Sequence, residues 1–472
     1  MTDVRSSARR GIAKPRLLGA ALASAALSSC AVGPDYTPAP APDVTRFTRE
    51  TTASPGNGQS FAQGAEVAPQ WWKAYGSRSL YALVEEALAK SPTLEAAEAA
   101  IRAANSTVSA QEGAFFPQVS GLSNSSRSSS GGAAPTNLFS KQLNASFTPD
   151  IWGANARAIE SLEAQAERAR LQLEAVRLTL AHDVVAAAIE EASLRGQIAM
   201  TQELVAIQQE NLSLLMLQHS HGAASGLDLS SQQAALAQTR QSLPGLERQL
   251  AVQRNRLTAL TGRYPSQEID ETFALSKLKL PEDMPLRLPA QVVEKRPDIR
   301  QAATDVHGAS ADVGVAVAAR LPNVTLSADT GASALKLAQL FTPGTGFYTL
   351  AGTVSQPIFE GMTLLNRQRA AEARLDEAKA RYRETVVGAF QNVADSLRAL
   401  QADARSVRDA RLAEAASRRF LDQTRTQRRY GGVSQLTVLT AQQSYLSASM
   451  ARVRAEAARL SDAAAFFTAI GG

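Results

Sequence analysis

The chain has 472 residues and a formal net charge of +5, with 44% hydrophobic but only 5% aromatic residues. This alanine-rich, aromatic-poor make-up is that of long helices and not of a compact mixed fold. Arg5, Arg9, Arg10, Lys14 and Arg16 against Asp3 place +4 of the charge in the first 29 residues. The +1 left to the rest removes the case for a nucleic-acid partner.

Residues 1–29 have the form of a signal peptide: the basic stretch precedes an apolar run at 17–27, too short to stay in a bilayer as a span. The run closes on Leu27-Ser28-Ser29-Cys30, and Cys30 is the sole cysteine of the chain. A leucine three positions earlier and two small residues between resemble a bacterial lipoprotein signal, with Cys30 as the lipidated residue; the plainer alternative is an ordinary cleaved signal beside a chance cysteine. Several acyl chains on one cysteine satisfy the two-signal rule for stable anchoring. Ala31, where many inner-membrane lipoproteins carry Asp, favours the outer membrane by analogy. Residues 30–64, with Pro34, Pro38, Pro40 and Pro42, read as an extended tether that builds no core.

Order resumes at Trp71-Trp72-Lys73-Ala74-Tyr75, expected to anchor on the main body. Leu80, Leu83, Val84, Ala87 and Leu88 then mark a short amphipathic helix. From Pro92 the chain carries an internal two-fold repeat. Pro92-Thr93-Leu94-Glu95-Ala96-Ala97 and Phe116-Pro117-Gln118-Val119 recur as Pro297-Asp298-Ile299-Arg300-Gln301-Ala302 and Leu321-Pro322-Asn323-Val324. Ile151-Trp152-Gly153 recurs as Ile358-Phe359-Glu360-Gly361, and the reversal Gly222 to Gly226 as Gly431-Gly432. The boundaries this predicts are a first repeat at 65–264, a proline-rich linker at 265–290 and a second repeat at 291–472.

Each copy reads helix, strand, loop, strand, very long helix, reversal, helix. The first long helix is predicted from 150 to about 216 and the second from just after Gly361 to about 430. At about 1.5 Å per residue, 65 residues reach roughly 100 Å. The flanking helices, 92–117 with 227–262 and 297–322 with 436–471, together match that reach and can stack beside it. Leu162, Ala166, Ala169, Leu173, Val176 and Leu180 form a drifting heptad seam on the first long helix. Ala371, Leu375, Ala378, Tyr382, Ala389, Val393, Leu397, Leu400, Ala404 and Val407 do the same on the second. Stretches 119–125, 142–148, 324–329 and 348–355 alternate weakly, around Ser- and Gly-rich loops at 125–137 and 331–346. Barrel strands alternate this way, and so does a soluble edge hairpin. Four strands do not close a barrel, and open edges are not tolerated in lipid, so a membrane reading requires strands from other chains.

Cys30-Ala31-Val32-Gly33-Pro34-Asp35-Tyr36, Trp71-Trp72, the Pro92 and Pro297 helix starts, Asp150-Ile151-Trp152-Gly153, Pro357-Ile358-Phe359 and Tyr430-Gly431-Gly432 with Leu436-Thr437-Val438-Leu439 resemble, in order and spacing, the outer-membrane efflux channels of the TolC and OprM type, lipoprotein branch. The resemblance implies a mainly α fold with a small β part: a long periplasmic α-helical barrel, and a transmembrane β-barrel to which each chain of a homotrimer gives four strands. It implies an outer-membrane location with outer-membrane lipid around the barrel. The expected partners are a periplasmic adaptor (membrane fusion) protein and an inner-membrane RND-type transporter, and the expected cargo drugs, solvents or metal ions. Such a conduit has no chemistry of its own, so neither an enzyme activity nor a cofactor is expected. The competing readings are a type I protein secretion channel and a lipid-anchored periplasmic coiled-coil scaffold.

In the family the far reversals narrow the tunnel and acidic residues often ring the aperture. Asp228 follows the first reversal opposite Thr437 in the second copy, while Thr440 stands where relatives often carry Asp. Asp228 is therefore the better candidate for a cation-attracting constriction; a first-turn acid favoured by the helix dipole is the equal alternative. Arg428, Arg429 and Tyr430 are placed to latch a closed tip, or form a solvated basic face. His219-Ser220-His221 lacks a further ligand cluster and reads as a wet loop, so no metal is expected. Gly344-Thr345-Gly346 reads as a turn.

Overall fold

A computed structural model describes residues 31–472 apart from positions 39, 41, 51–53, 55, 57 and 133. The expected signal at 1–29 and the lipidation residue Cys30 lie outside the described residues. In chain order the structure contains β1 (Ser60–Gln63), α1 (Arg78–Lys90), α2 (Pro92–Glu112), β2 (Gln118–Ser128), β3 (Thr136–Phe147), α3 (Ala154–Ser220), α4 (Gly226–Leu260), β4 (Asp283–Leu286), α5 (Pro289–Lys295), α6 (Pro297–Ala318), β5 (Asn323–Ala334), β6 (Gly346–Ser355), α7 (Thr363–Arg429) and α8 (Gln435–Ala469). The fold is mainly helical. Helices α3 and α7 each have 67 residues, and α4 and α8 each have 35.

Helix α3 starts four residues later than predicted because Asp150 serves as a cap: its Oδ2 accepts from the Ala156 N–H at 2.8 Å, relieving an N-terminal donor that the helix cannot satisfy itself. The strands outrun their predicted ends for a related reason. Paired from Gln118↔Ser146 to Ser128↔Thr136, β2 and β3 continue through serines placed in the loop at 125–137. The ladder needs backbone partners and not apolar alternation. Likewise β5 runs to Ala334, beyond the expected loop start at 331.

The described residues fall into two compact units. One holds 31–38, Ala103–Glu167 and Thr304–Ala380. Its centre is a four-stranded antiparallel sheet in the order β2-β3-β5-β6, flanked by the start of α3 and the end of α6. Trp152 fixes the entry to β5, donating from Nε1 to Pro322 O at 2.7 Å. Residues 31–38, part of the predicted extended tether, are strapped down. Val32 N–H donates to Trp152 O at 3.1 Å. Asp35 pairs with buried Arg157 at 2.6 Å, and Tyr36 stacks on His307 with ring centroids 4.4 Å apart. Glu160 holds both Arg157 and His307, at 2.7 and 2.8 Å.

The second unit holds the described residues of Ala39–Arg102, with Arg168–Ala303 and Arg381–Gly472. Trp71, Trp72 and Tyr75 sit in a 3₁₀ turn ahead of α1, buried with Leu80, Leu83, Val84 and Ala87 in the main core. Residues 180, 181, 184, 185, 187–189 and 191–194 of α3 are all buried, so this stretch is enclosed on most sides. Along the predicted seam of α3, Ala166 and Leu180 are buried and Leu162, Ala169, Leu173 and Val176 half-buried, with Leu173 and Val176 packed against the core. On α7, Ala371, Tyr382, Ala389, Val393, Leu397, Leu400, Ala404 and Val407 are buried, with Leu375 and Ala378 half-buried.

Parts of the predicted tether and linker pair with each other and enter the core. Strand β1 of the tether pairs in parallel with β4 of the linker, from Ser60↔Asp283 to Gln63↔Leu286. Ile269, Phe273, Leu278, Met284 and Leu286 of the linker enter the core. Proline bars helix and central strand but not burial, and an edge pairing tolerates it. Glu191, fully buried, fastens the linker: its Oε2 accepts from Phe273 N–H at 3.0 Å while Oε1 accepts from Arg195 Nε at 2.5 Å and Arg254 Nη1 at 3.2 Å.

Candidate functional site

The candidate site of the second unit is where α3 and α7 end and α4 and α8 begin. Both long helices stop in the same way. After α3, Gly222 takes φ 72° and the N–H groups of Gly222 and Ala223 donate to His219 O (2.9 Å) and Gln218 O (2.7 Å). After α7, Gly431 takes φ 76° and the N–H groups of Gly431 and Gly432 donate to Arg428 O (3.0 Å) and Gln427 O (2.9 Å). This pattern consumes the orphan carbonyls of a helix end, and its left-handed residue favours glycine. Of the four predicted reversal glycines, Gly222 and Gly431 perform that turn; Gly226 is already the first residue of α4, and Gly432 has no positive φ.

The next helices are capped by matching serines. Ser225 Oγ accepts from Asp228 N–H at 3.0 Å and Ser434 Oγ from Thr437 N–H at 3.3 Å. Asp228 and Thr437 therefore occupy the same third position, where the helix dipole favours an acid. The structure brings Asp228 together with Arg428: Oδ2 lies 3.6 Å from Nη2, with the side chains 32% and 28% exposed. Arg428 Nη1 also donates to Val433 O at 3.2 Å, tying α7 to the turn that follows it. The other predicted residues stay apart from this pair. Tyr430 is 87% exposed, and Thr440 Oγ1 donates to Leu436 O of its own helix at 2.9 Å. His219 Nδ1 lies 2.9 Å from Ala224 O within the turn, and the described residues hold no group of three or more His, Cys, Asp and Glu poised for a metal.

Sequence reasoning missed the polar contacts beneath this turn. Gln435 Nε2 donates to Gln232 Oε1 at 2.8 Å, and Gln232 Nε2 to Gln208 O at 2.9 Å, all three glutamines being buried. Arg425 pairs with Glu210 at 3.3 Å. A glutamine on a long helix carries no local sign that it will be buried, and only the packing of α3, α4 and α8 selects these.

In the first unit the candidate surface is the sheet itself. Cross-strand register aligns Ser120, Asn144, Asp329 and Thr349 in one row, with Gln142, Ser146, Ser327 and Thr353 on the same face. The opposite face carries Val119, Leu143, Leu326, Leu350 and Val354. All five are exposed, Leu143 at 56%, Leu350 at 75% and Val354 at 69%. Lys141 shares the apolar face, with its ammonium 5.8 Å from the Phe341 ring. Strands β2 and β6 each have one unpaired edge within the chain.

The sequence profile of the outer membrane efflux protein family matches residues 83–263 and again 288–472. The pyoverdine export outer membrane protein OpmQ of Pseudomonas putida is 30% identical over 433 residues, covering 87% of this chain and 90% of its own. The cation efflux system protein CusC of Escherichia coli K12 is 25% identical over 452 residues, 95% of this chain and 97% of its own. Among solved structures, that of the outer-membrane channel OprN superposes with a TM-score of 0.83 at 25% identity, over 94% of this chain and 99% of that one.

Proposed function

The chain belongs to the outer membrane efflux protein family and is an outer-membrane component of an efflux system, and from that premise we propose that three copies assemble into one passive conduit. Each chain gives its four strands to a shared 12-stranded barrel in the outer membrane, and its helices to a periplasmic tunnel. The observation that carries this is the two-faced sheet. A continuous apolar face that large is not left to water, and a sheet with open edges is not left in lipid. Closing it with two further copies satisfies both demands and puts the polar face around the bore.

The two matches of the family profile and the equal lengths of α3 with α7 and α4 with α8 support one unit used twice, over 65–264 and 291–472. Cys30 is the proposed acyl anchor, with 1–29 removed as a signal. A periplasmic adaptor and an inner-membrane RND-type transporter supply energy and selection. The exported cargo is small molecules in place of a secreted polypeptide, as the antibiotic, toluene and cation efflux relatives suggest by name. Asp228 with Arg428 forms the proposed tip latch, with Tyr430, Thr437 and Thr440 on the rim.

Purified full-length protein reconstituted in planar bilayers is expected to give discrete single-channel currents. Well-folded protein that gives none would sink the conduit in favour of a lipid-anchored periplasmic scaffold.

A further inference from the structure

One carboxylate stands on the polar face of the sheet, far in sequence from the helix reversals. Among the described strand residues on the polar face of β2, β3, β5 and β6, Asp329 is the only charged side chain; the other charged strand residues, Arg127 and Lys141, fall on the apolar face by register. Asp329 is half-buried, opposite Asn144 on one neighbour and Thr349 on the other. Asn144 Nδ2 donates to Asp329 Oδ1 at 2.7 Å, which holds the carboxylate in its row without neutralising it. Ser120, Asn144 and Thr349 complete that row, so no cation on the same level of the sheet balances the charge. Lys141 does not, because it leaves by the other face, where a long side chain can reach toward an interface.

Resting on the trimeric barrel reading, we propose that Asp329 forms a three-carboxylate ring facing the bore and makes the barrel itself cation-preferring, independently of Asp228. Twelve strands about 4.8 Å apart and tilted about 40° enclose a backbone radius of about 12 Å. The carboxylates then lie about 10 Å from the axis, near one Debye length at 0.1 M salt. Three charges at that distance bias cation over anion passage roughly two- to fourfold at 0.1 M, and more at 0.01 M, where screening reaches only to about 30 Å.

The test is the zero-current potential of reconstituted full-length channels under a KCl gradient, for the parent, Asp329→Asn, Asp329→Lys and Asp329→Glu, each also in an Asp228→Ala background to remove the tip contribution. Asp329→Asn is expected to lower the cation preference by the stated factor, Asp329→Lys to move it toward anions, and Asp329→Glu to keep it. Lys141→Gln, on the opposite face, is expected to leave it unchanged. Only conducting channels are scored, so every value comes from assembled protein, and the charge-retaining Glu variant separates charge from packing. Conducting Asp329→Asn and Asp329→Lys channels with the parent potential would overturn the ring, as would a Lys141→Gln shift equal to that of Asp329→Asn. Absence of channels from the parent would instead overturn the conduit.

Discussion

Removing Arg428 is expected to loosen the tip. In the structure Arg428 makes an ion pair with Asp228 at 3.6 Å and a hydrogen bond to Val433 O at 3.2 Å. Both side chains of the pair are about a third exposed, so the pair contributes about 0.2–1 kcal/mol, the range of solvent-screened pairs. In the proposed trimer three copies sum to about 0.6–3 kcal/mol. If opening separates the end of α7 from the start of α4, losing all three raises the open-to-closed ratio roughly 3- to 150-fold. The bond to Val433 O lies within the turn after α7 and does not cross that separation, so Arg428→Ala and Asp228→Ala should open the channel to a similar extent. The measurement is open probability in planar bilayers at low and high salt, since the pair's share should fade as salt rises. The Asp228→Arg, Arg428→Asp exchange should restore part of the closed population. Unchanged open probability in both single variants would refute the latch.

Cys30→Ser is expected to abolish acyl labelling of the cell-grown protein; undiminished labelling would place the anchor elsewhere. Gly33→Val should release residues 31–38: a Cβ there would lie 2.4 Å from Gly314 Cα, at a φ of 99° that valine rarely adopts. Cleavage after Tyr36 by chymotrypsin should then speed up about tenfold or more, the equivalent of about 1.4 kcal/mol of lost docking, and an unchanged rate would show the strap to be inessential. Burial, and then the hydrogen bond and charge of Asp462, push the Asp403 carboxyl up to about 7. A raised carboxyl binds its proton more tightly in the folded state, so stability is full below the ordinary carboxylate range and declines as pH rises from about 4 to about 7. Asp403→Asn should flatten that decline, read as Tm in detergent at pH 5 and pH 8; an equal drop in parent and variant would assign it to other groups.

The sequence by itself determined the succession of elements, since that succession depends on local signals. Pro92 and Pro297 open α2 and α6, the glycines at 222 and 431 close α3 and α7, and the stretch between Gly361 and Tyr430 holds no proline to interrupt the helix. It also placed Asp228 and Thr437 at equal distances past their turns, because a serine cap and its third residue are neighbours in the chain. What the tertiary structure decided were pairings between distant residues, for which no local pattern exists. Asp228 meets Arg428 two hundred residues on, Asp35 meets Arg157, and β1 finds β4 across more than two hundred residues. Proline-rich composition marked 30–64 as a tether and 265–290 as a linker, and only the tertiary structure shows the edge pairing and the buried Glu191 that secure parts of both. The weak alternation of the four strands acquired meaning the same way: only register shows that Val119, Leu143, Leu326, Leu350 and Val354 share one exposed face and that Asp329 is the one charge among the described strand residues on the other. Side-chain alternation is a property of each strand, but which faces align is a property of the sheet.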